Sequence, residues 1–375
     1  MQVRAHELFK RFMAAMEAQP QASVVHSLAE PPRLGDFLEA LDPNMSLDWS
    51  AQGFQGLPSL REKILSRTGI KASIDDVLIT AGTAEANFLA INQLLQAGDE
   101  MIVDVPGWPQ PQVLGEAIGA KVKRLHRKED QGWQIDINEL SDLISPRTKL
   151  IFLCNPNNPT GQVIPEHSLM EIISLADKVG AYVLCDEVYA GLEWESEAVP
   201  RAANLYDKGI STGSVSKVLG LQGIRIGWLV CADKNVVYDA MVLREDSSEI
   251  MNVMGEAIAD IALADDYYLQ AIERARNAGL HNRTLVDNFI QANAELEWHL
   301  PEAGLIGFSR INMDMDSEEF ANRLMQPPYH TFVMPGIAYE YPQHLRLGFG
   351  GAAGSGISDG LQHLQQFLNS LRLQV

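Results

Sequence analysis

Ser214-Val215-Ser216-Lys217-Val218-Leu219-Gly220 is followed, eight residues past the lysine, by Arg225 in Gly223-Ile224-Arg225-Ile226-Gly227-Trp228. A lysine between small hydroxyl residues, just after the short strand-like run 209–212, reads as an amine set at the end of a strand. Such an amine can form a Schiff base with a carbonyl. Arg225 adds a planar fork of donors suited to an anion.

Outward from that stretch, short apolar runs alternate with amphipathic ones. Strands are predicted at 77–80, 101–105, 121–125, 150–154, 181–185, 209–212 and 226–230. Helical patterns lie between several of them. One spans 85–96, with Phe88, Leu89, Ile91, Leu94 and Leu95 on its apolar side and Gly98-Asp99 as its stop. Another spans 165–179 and stops at Gly180. Strand–helix alternation of this kind predicts an α/β fold with a mainly parallel sheet. The last third changes character: a long helix at 265–293, strands near 306–311, 331–333 and 345–349, and a final helix at 357–373. This predicts a smaller α+β domain, with a large domain at 46–270 and a small one made from 1–45 and 271–375.

The chain has 375 residues, 46% hydrophobic and 21% charged, the profile of a soluble globular protein. No apolar run reaches the length of a transmembrane helix, and the first residues lack the apolar stretch of a secretory signal. A net charge of −20 opposes binding to a phosphate backbone, so no nucleic-acid partner is expected. Cys154, Cys185 and Cys231 are scattered, odd in number and set in or beside apolar runs. They predict buried reduced thiols, no metal site and a cytoplasmic location.

Several further segments follow predicted strands. Asp186-Glu187-Val188-Tyr189 places a carboxylate where ligands of parallel sheets bind. Alone, Asp186 and Tyr189 read equally as a helix cap and a packed aromatic. Asn155-Pro156-Asn157-Asn158-Pro159-Thr160-Gly161 is a turn held by two prolines and a glycine, able to fix the amide of Asn158. Gly82, Thr83 and Ala84 open a helix whose N–H groups suit a phosphate, with Ser214, Ser216 and Arg225 completing the shell. Trp108, in Pro106-Gly107-Trp108-Pro109, can stack on a flat ring. Arg346, in the middle of a predicted strand, needs an anion: a substrate carboxylate or an internal acid. An amine, an acid for a ring nitrogen, phosphate donors and a flat group are what pyridoxal 5′-phosphate requires.

In this order the segments resemble the class I/II aminotransferases of the aspartate aminotransferase superfamily, fold type I, over roughly residues 50–350. The spacings Asp186–Tyr189, Ser214–Lys217 and Lys217–Arg225 carry the resemblance. It implies a homodimer with the site at the subunit interface, acting on an L-amino acid and a 2-oxo acid. Lys217 would carry the cofactor as a Schiff base and then move a proton. Asp186 would face the pyridinium and Tyr189 the cofactor phenolate, while Asn158 and Arg346 orient the substrate carboxylate. Two features depart from the pattern. Ala51 stands where the family carries a phosphate-contacting tyrosine, five residues before Gly56 of Gly56-Leu57-Pro58-Ser59-Leu60-Arg61. The N-terminal arm around Val25-His26-Ser27-Leu28-Ala29 is loosely similar to that of capreomycidine synthase-like enzymes, which cyclise an arginine derivative. A lyase, cyclase or oxidase of a specialised amino-acid pathway is therefore the alternative. His26 reads as a substrate contact or a surface or interface histidine, and Arg244, near a plausible loop, as a second cation for a dicarboxylate substrate or, in preference, a surface salt-bridge residue.

Overall fold

The computed structural model describes residues 2–195, 198–354 and 356–373. A helix, α1 (Glu7–Ala18), precedes two short strands, β1 (Ala22–Ser23) and β2 (Val25–Ala29). Helix α2 (Pro58–Thr68) leads into β3 (Val77–Thr80), α3 (Thr83–Leu94), β4 (Glu100–Val105), α4 (Gln110–Ile118), β5 (Lys121–Lys128) and β6 (Gln134–Ile135). Then come α5 (Ile137–Leu143), β7 (Thr148–Cys154), α6 (Glu166–Val179), β8 (Tyr182–Asp186), α7 (Ala202–Leu205), β9 (Gly209–Ser214) and β10 (Gly227–Cys231).

These strands form one sheet in the order β3-β10-β9-β8-β7-β4-β5-β6. The pairings from β9 through β8, β7 and β4 to β5 are parallel, while β10 runs against both neighbours. Period-two alternation of apolar side chains explains why helices cover both faces. Met101, Val103, Leu150, Phe152 and Leu184 pack on one side with Leu89 of α3. Ile102, Ile151, Leu153, Val183 and Cys185 pack on the other with Leu169 and Ile172 of α6. This is the expected α/β architecture with a mainly parallel sheet. All three cysteines are buried and free.

Helices α8 (Lys234–Glu245), α9 (Val253–Ala262) and α10 (Asp265–Gln291) lead to a second sheet. Its strands are β11 (Leu296–Trp298), β12 (Ile306–Ile311), β14 (Met334–Pro335) and β15 (His344–Gly351), in the order β11-β12-β15-β14. The N-terminal β2 joins β15 in parallel, and β1 pairs with the short β13 (Thr331–Phe332). Helices α11 (Ser317–Met325) and α12 (Ile357–Arg372) complete the chain. No helix among the described residues is long and apolar enough to cross a membrane.

The helix expected at 85–96 begins earlier, at Thr83, because Gly82 adopts φ 84° and turns the chain out of β3. A Cβ at Gly82 would collide with the Arg225 guanidinium as well as strain the backbone.

Candidate active site

The parallel strands end along one edge of the large sheet, and the sequence-predicted site residues follow those ends. Gly82, Thr83 and Ala84 come after β3, Trp108 after β4, Asn158 after β7, and Ser216 and Lys217 after β9; Asp186 closes β8 and Ser214 closes β9. Because β10 is antiparallel, its start brings Arg225 to the same edge. Arg346 arrives from β15 of the second sheet. Thr83, Ala84, Trp108, Asn158, Asp186, Tyr189, Ser214, Ser216, Lys217, Arg225 and Arg346 all border one cavity of about 830 Å³.

Lys217 is half-buried in the cavity wall, and its Nζ lies 5.6 Å from the centroid of the Tyr189 ring. Burial, first, and the positive charge of Arg346 pull its pKa down to about 8, against an opposing pull from Asp186. Asp186 is buried, and burial pushes its carboxyl up to about 6. Two donors counter that rise: Asn87 Nδ2 at 2.9 Å and the Val188 N–H at 3.2 Å. Asn87 is fixed in turn by the Thr212 hydroxyl, which donates to its Oδ1 at 2.9 Å.

The turn that carries Asn158 is held as rigidly as its composition predicts. Thr160 Oγ1 donates to Asn157 Oδ1 at 2.8 Å, and Asn157 Nδ2 donates to Asp104 at 3.2 Å. Asp104 itself is clasped by buried Arg127, at 2.9 and 2.8 Å. Asn158 accepts from the Tyr339 hydroxyl at 3.2 Å, and that hydroxyl accepts from Arg346 Nη1 at 3.0 Å. Arg346 Nη2 donates to Ser27 Oγ (2.9 Å) and to the Val25 carbonyl (3.2 Å), and its Nε is buried without a partner. Among the described residues Arg346 joins no ion pair, so the internal-acid alternative is not realised.

Three other expectations can be placed. Trp108 is half-buried at the cavity wall, donating from its indole to Gln110 at 3.1 Å. His26 is exposed yet borders the cavity. Ala51 closes an exposed 3-10 turn (Trp49–Ala51), where the Trp49 and Phe54 rings lie 5.3 Å apart. Arg244 requires correction. It is buried, not a surface salt-bridge residue, and its guanidinium donates to the carbonyls of Ile79 and Phe54.

The sequence reading missed Asn87, Tyr339, Ser27 and all of α1. Leu8, Phe12 and Ala15 recur at helical spacing in α1 and would have revealed an amphipathic helix. The other three have no local signature. The arm is tied to the site at both ends: Ser27 and Val25 hold Arg346, and the Ala29 N–H donates to the Lys217 carbonyl at 2.8 Å.

The family model for class I and II aminotransferases matches residues 49–355. The chain is 26% identical to capreomycidine synthase of Streptomyces vinaceus over 322 residues, 83% of this chain and 81% of that protein. It is 27% identical to the aspartate aminotransferase of Thermotoga maritima over 327 residues, 84% and 82% of the two chains. Its structure superposes on that of a PLP-dependent aminotransferase from Streptococcus suis with a TM-score of 0.91, 28% identity and 99% coverage of both chains.

The cavity fits the cofactor that this family implies. It offers an amine of lowered pKa on its wall, a buried carboxylate, and a helix N-terminus facing a guanidinium. One buried hydroxyl on its wall, Thr83 Oγ1, has no hydrogen-bond partner among the described residues. Buried polar groups without partners mark places where a ligand supplies them. The chain belongs to the class I and II aminotransferase family, with the fold type I architecture and pyridoxal 5′-phosphate as its cofactor.

Proposed function

We propose that the protein moves an amino group between an L-amino acid and a 2-oxo acid, with Lys217 as the cofactor-bearing and proton-moving residue. The observation that carries this reading is the pair formed by a half-buried Lys217 of lowered pKa on the cavity wall and a buried Arg346 that no acid of the described chain satisfies. Bound pyridoxal phosphate supplies an electron sink for the pair left at the substrate Cα when its proton departs.

The chain's own groups do the rest. Arg346 and Asn158 grip the substrate carboxylate, the first by parallel charge-assisted hydrogen bonds. Tyr339, bonded to both, keeps the two aligned. Lys217 Nζ would take and hold the proton that leaves the substrate Cα, a task suited to an amine with a pKa of about 8. Asp186, steadied by Asn87, would hold the ring-nitrogen end of the cofactor in its protonated form, and Tyr189 would offer its hydroxyl to the phenolate. The N–H groups of Thr83 and Ala84, with Ser214, Ser216 and Arg225, would hold the phosphate and Trp108 would cover the ring face; the Gly82 N–H, assigned to the phosphate from the sequence, donates instead to the Thr80 carbonyl at 2.8 Å.

In this reading the chain works in the cytoplasm as a homodimer of two-domain subunits, 46–270 forming the large domain and 1–45 with 271–375 the small one. Sedimentation as a single subunit would refute the pairing. Likeness to a synthase favours one second reading, in which the same carbanion meets a different fate as in a lyase, cyclase or oxidase. A single-turnover experiment separates the two. Mixing the loaded protein with an amino-acid panel should bleach the cofactor's aldehyde-derived band and release the matching 2-oxo acid. Consumption of amino acid without 2-oxo acid would favour the second reading.

A further inference from the structure

We infer that the Ser27 hydroxyl stands in for the substrate carboxylate on Arg346 and gives way when that carboxylate binds; the inference rests on Arg346 being the carboxylate grip. A guanidinium carries five N–H donors in a rigid plane. It offers a carboxylate two parallel pairs, Nε with Nη2 along its side and Nη1 with Nη2 at its end. Both pairs need a proton of Nη2.

In this chain both Nη2 protons are already in use. Nη2 donates to Ser27 Oγ at 2.9 Å and to the Val25 carbonyl at 3.2 Å. Nη1 donates to the Tyr339 hydroxyl at 3.0 Å. A two-point grip on a carboxylate therefore requires that Ser27 or Val25 let go.

The backbone decides which. Val25 and Ser27 both point inward from β2, which runs parallel to β15 with Val25 opposite Gly348. The two backbones are in close contact. A Cβ on Gly348 would lie 2.4 Å from the His26 carbonyl oxygen, and one on Gly350 would lie 2.1 Å from that of Leu28. The Gly348 N–H donates to the Val24 carbonyl at 2.7 Å, and the Ala29 N–H donates to the Lys217 carbonyl at 2.8 Å. The Val25 carbonyl thus belongs to a clamped strand, whereas the Ser27 hydroxyl moves by rotation about a single bond. That hydroxyl has a second partner to fall back on. Ser27, Tyr189 and Arg346 border the same cavity. Burial raises the pKa of the Tyr189 hydroxyl, and a hydrogen bond with Ser27 opposes that rise.

Ser27 is therefore a positioning residue. Without substrate it supplies an acceptor to a buried cation and holds the guanidinium plane in place. Every incoming carboxylate has to displace it.

Propanoate, which has a carboxylate and no amine, tests this on the pyridoxal-phosphate-loaded protein. In calorimetric titrations Ser27→Ala should bind propanoate about threefold or more tightly than the unaltered protein, because a bond to a charged group is lost from the free state and water restores only part of it. Ser27→Thr keeps the hydroxyl and should bind within about twofold of the unaltered protein. A side chain that merely props the arm would do the opposite, with Ser27→Ala weakening the binding. Unchanged or weaker binding by Ser27→Ala, or equal tightening in Ser27→Thr, would overturn the inference. Crystal structures of the loaded, unaltered protein with and without propanoate make the same test free of any substitution. The contact between Ser27 and Arg346 should be present without the acid and broken with it; a contact kept in both would also overturn the inference. If propanoate binds neither the unaltered protein nor Ser27→Ala, or binds Arg346→Gln undiminished, the Arg346 grip itself fails, and the functional reading beneath it fails as well.

Discussion

At the residue scale the site depends on side chains that hold other side chains. Asp186 is useful to a protonated ring nitrogen only while ionised, and burial alone works against that. Asn87 offsets the burial with a hydrogen bond to the carboxylate, itself set by Thr212. Asn87→Ala should therefore raise the Asp186 pKa further above about 6 in the cofactor-free protein. Hydrogen bonds to charged groups contribute about 1.5–3 kcal/mol, so cofactor affinity at pH 7 should fall by about 10- to 100-fold. The sign fixes the pH response. A raised carboxyl pKa means protonation at neutral pH, so the deficit should shrink as pH rises toward 9. A deficit that is constant with pH would assign Asn87 a purely structural role. Arg346 and Asn158 follow the same logic, since Tyr339 joins them.

At the element scale, what was legible in the sequence was whatever lies next to a strand end. Lys217, Asp186, Asn158 and the helix start at Gly82 each follow an apolar run by a few residues, so local reading finds them. Asn87 reaches Asp186 across 99 residues, Tyr339 reaches Asn158 across 181, and Ser27 reaches Arg346 across 319. No local periodicity encodes such contacts, because only the tertiary fold brings them together. Arg244 was misread for the same reason: its partners are backbone carbonyls, which a sequence does not display. It clasps the end of β3 to the segment before α2, beside Glu256, which accepts from the Leu57 N–H at 2.6 Å, and Arg61, which donates to the Gly56 carbonyl at 3.1 Å. That segment follows Ala51. Arg244→Met should destabilise the protein by about 1–3 kcal/mol through an orphaned buried carbonyl. Hydrogen exchange should quicken at the Ile79 N–H, which donates to the Gln55 carbonyl at 2.9 Å. Unchanged exchange there would mean that the clasp does not hold the segment.

At the scale of the whole molecule, three separate parts of the chain converge on one cavity. The large sheet contributes its strand ends, the second sheet contributes Arg346, and the N-terminal arm binds Arg346 and Lys217 while α1 lines the same cavity. An α/β fold alone does not imply this chemistry; convergence on an amine of lowered pKa does. Fold class and cofactor followed from strand–helix alternation and ordered motifs, whereas the hold of Ser27 on Arg346 needed the three-dimensional path of the first thirty residues. This convergence points to Lys217 as the residue that carries pyridoxal phosphate. Borohydride reduction of the loaded protein, followed by mass mapping of its peptides, tests it most directly. One phosphopyridoxyl group per chain is expected, on Lys217, and none after Lys217→Ala. A label on a different lysine, or undiminished labelling of the variant, would contradict it.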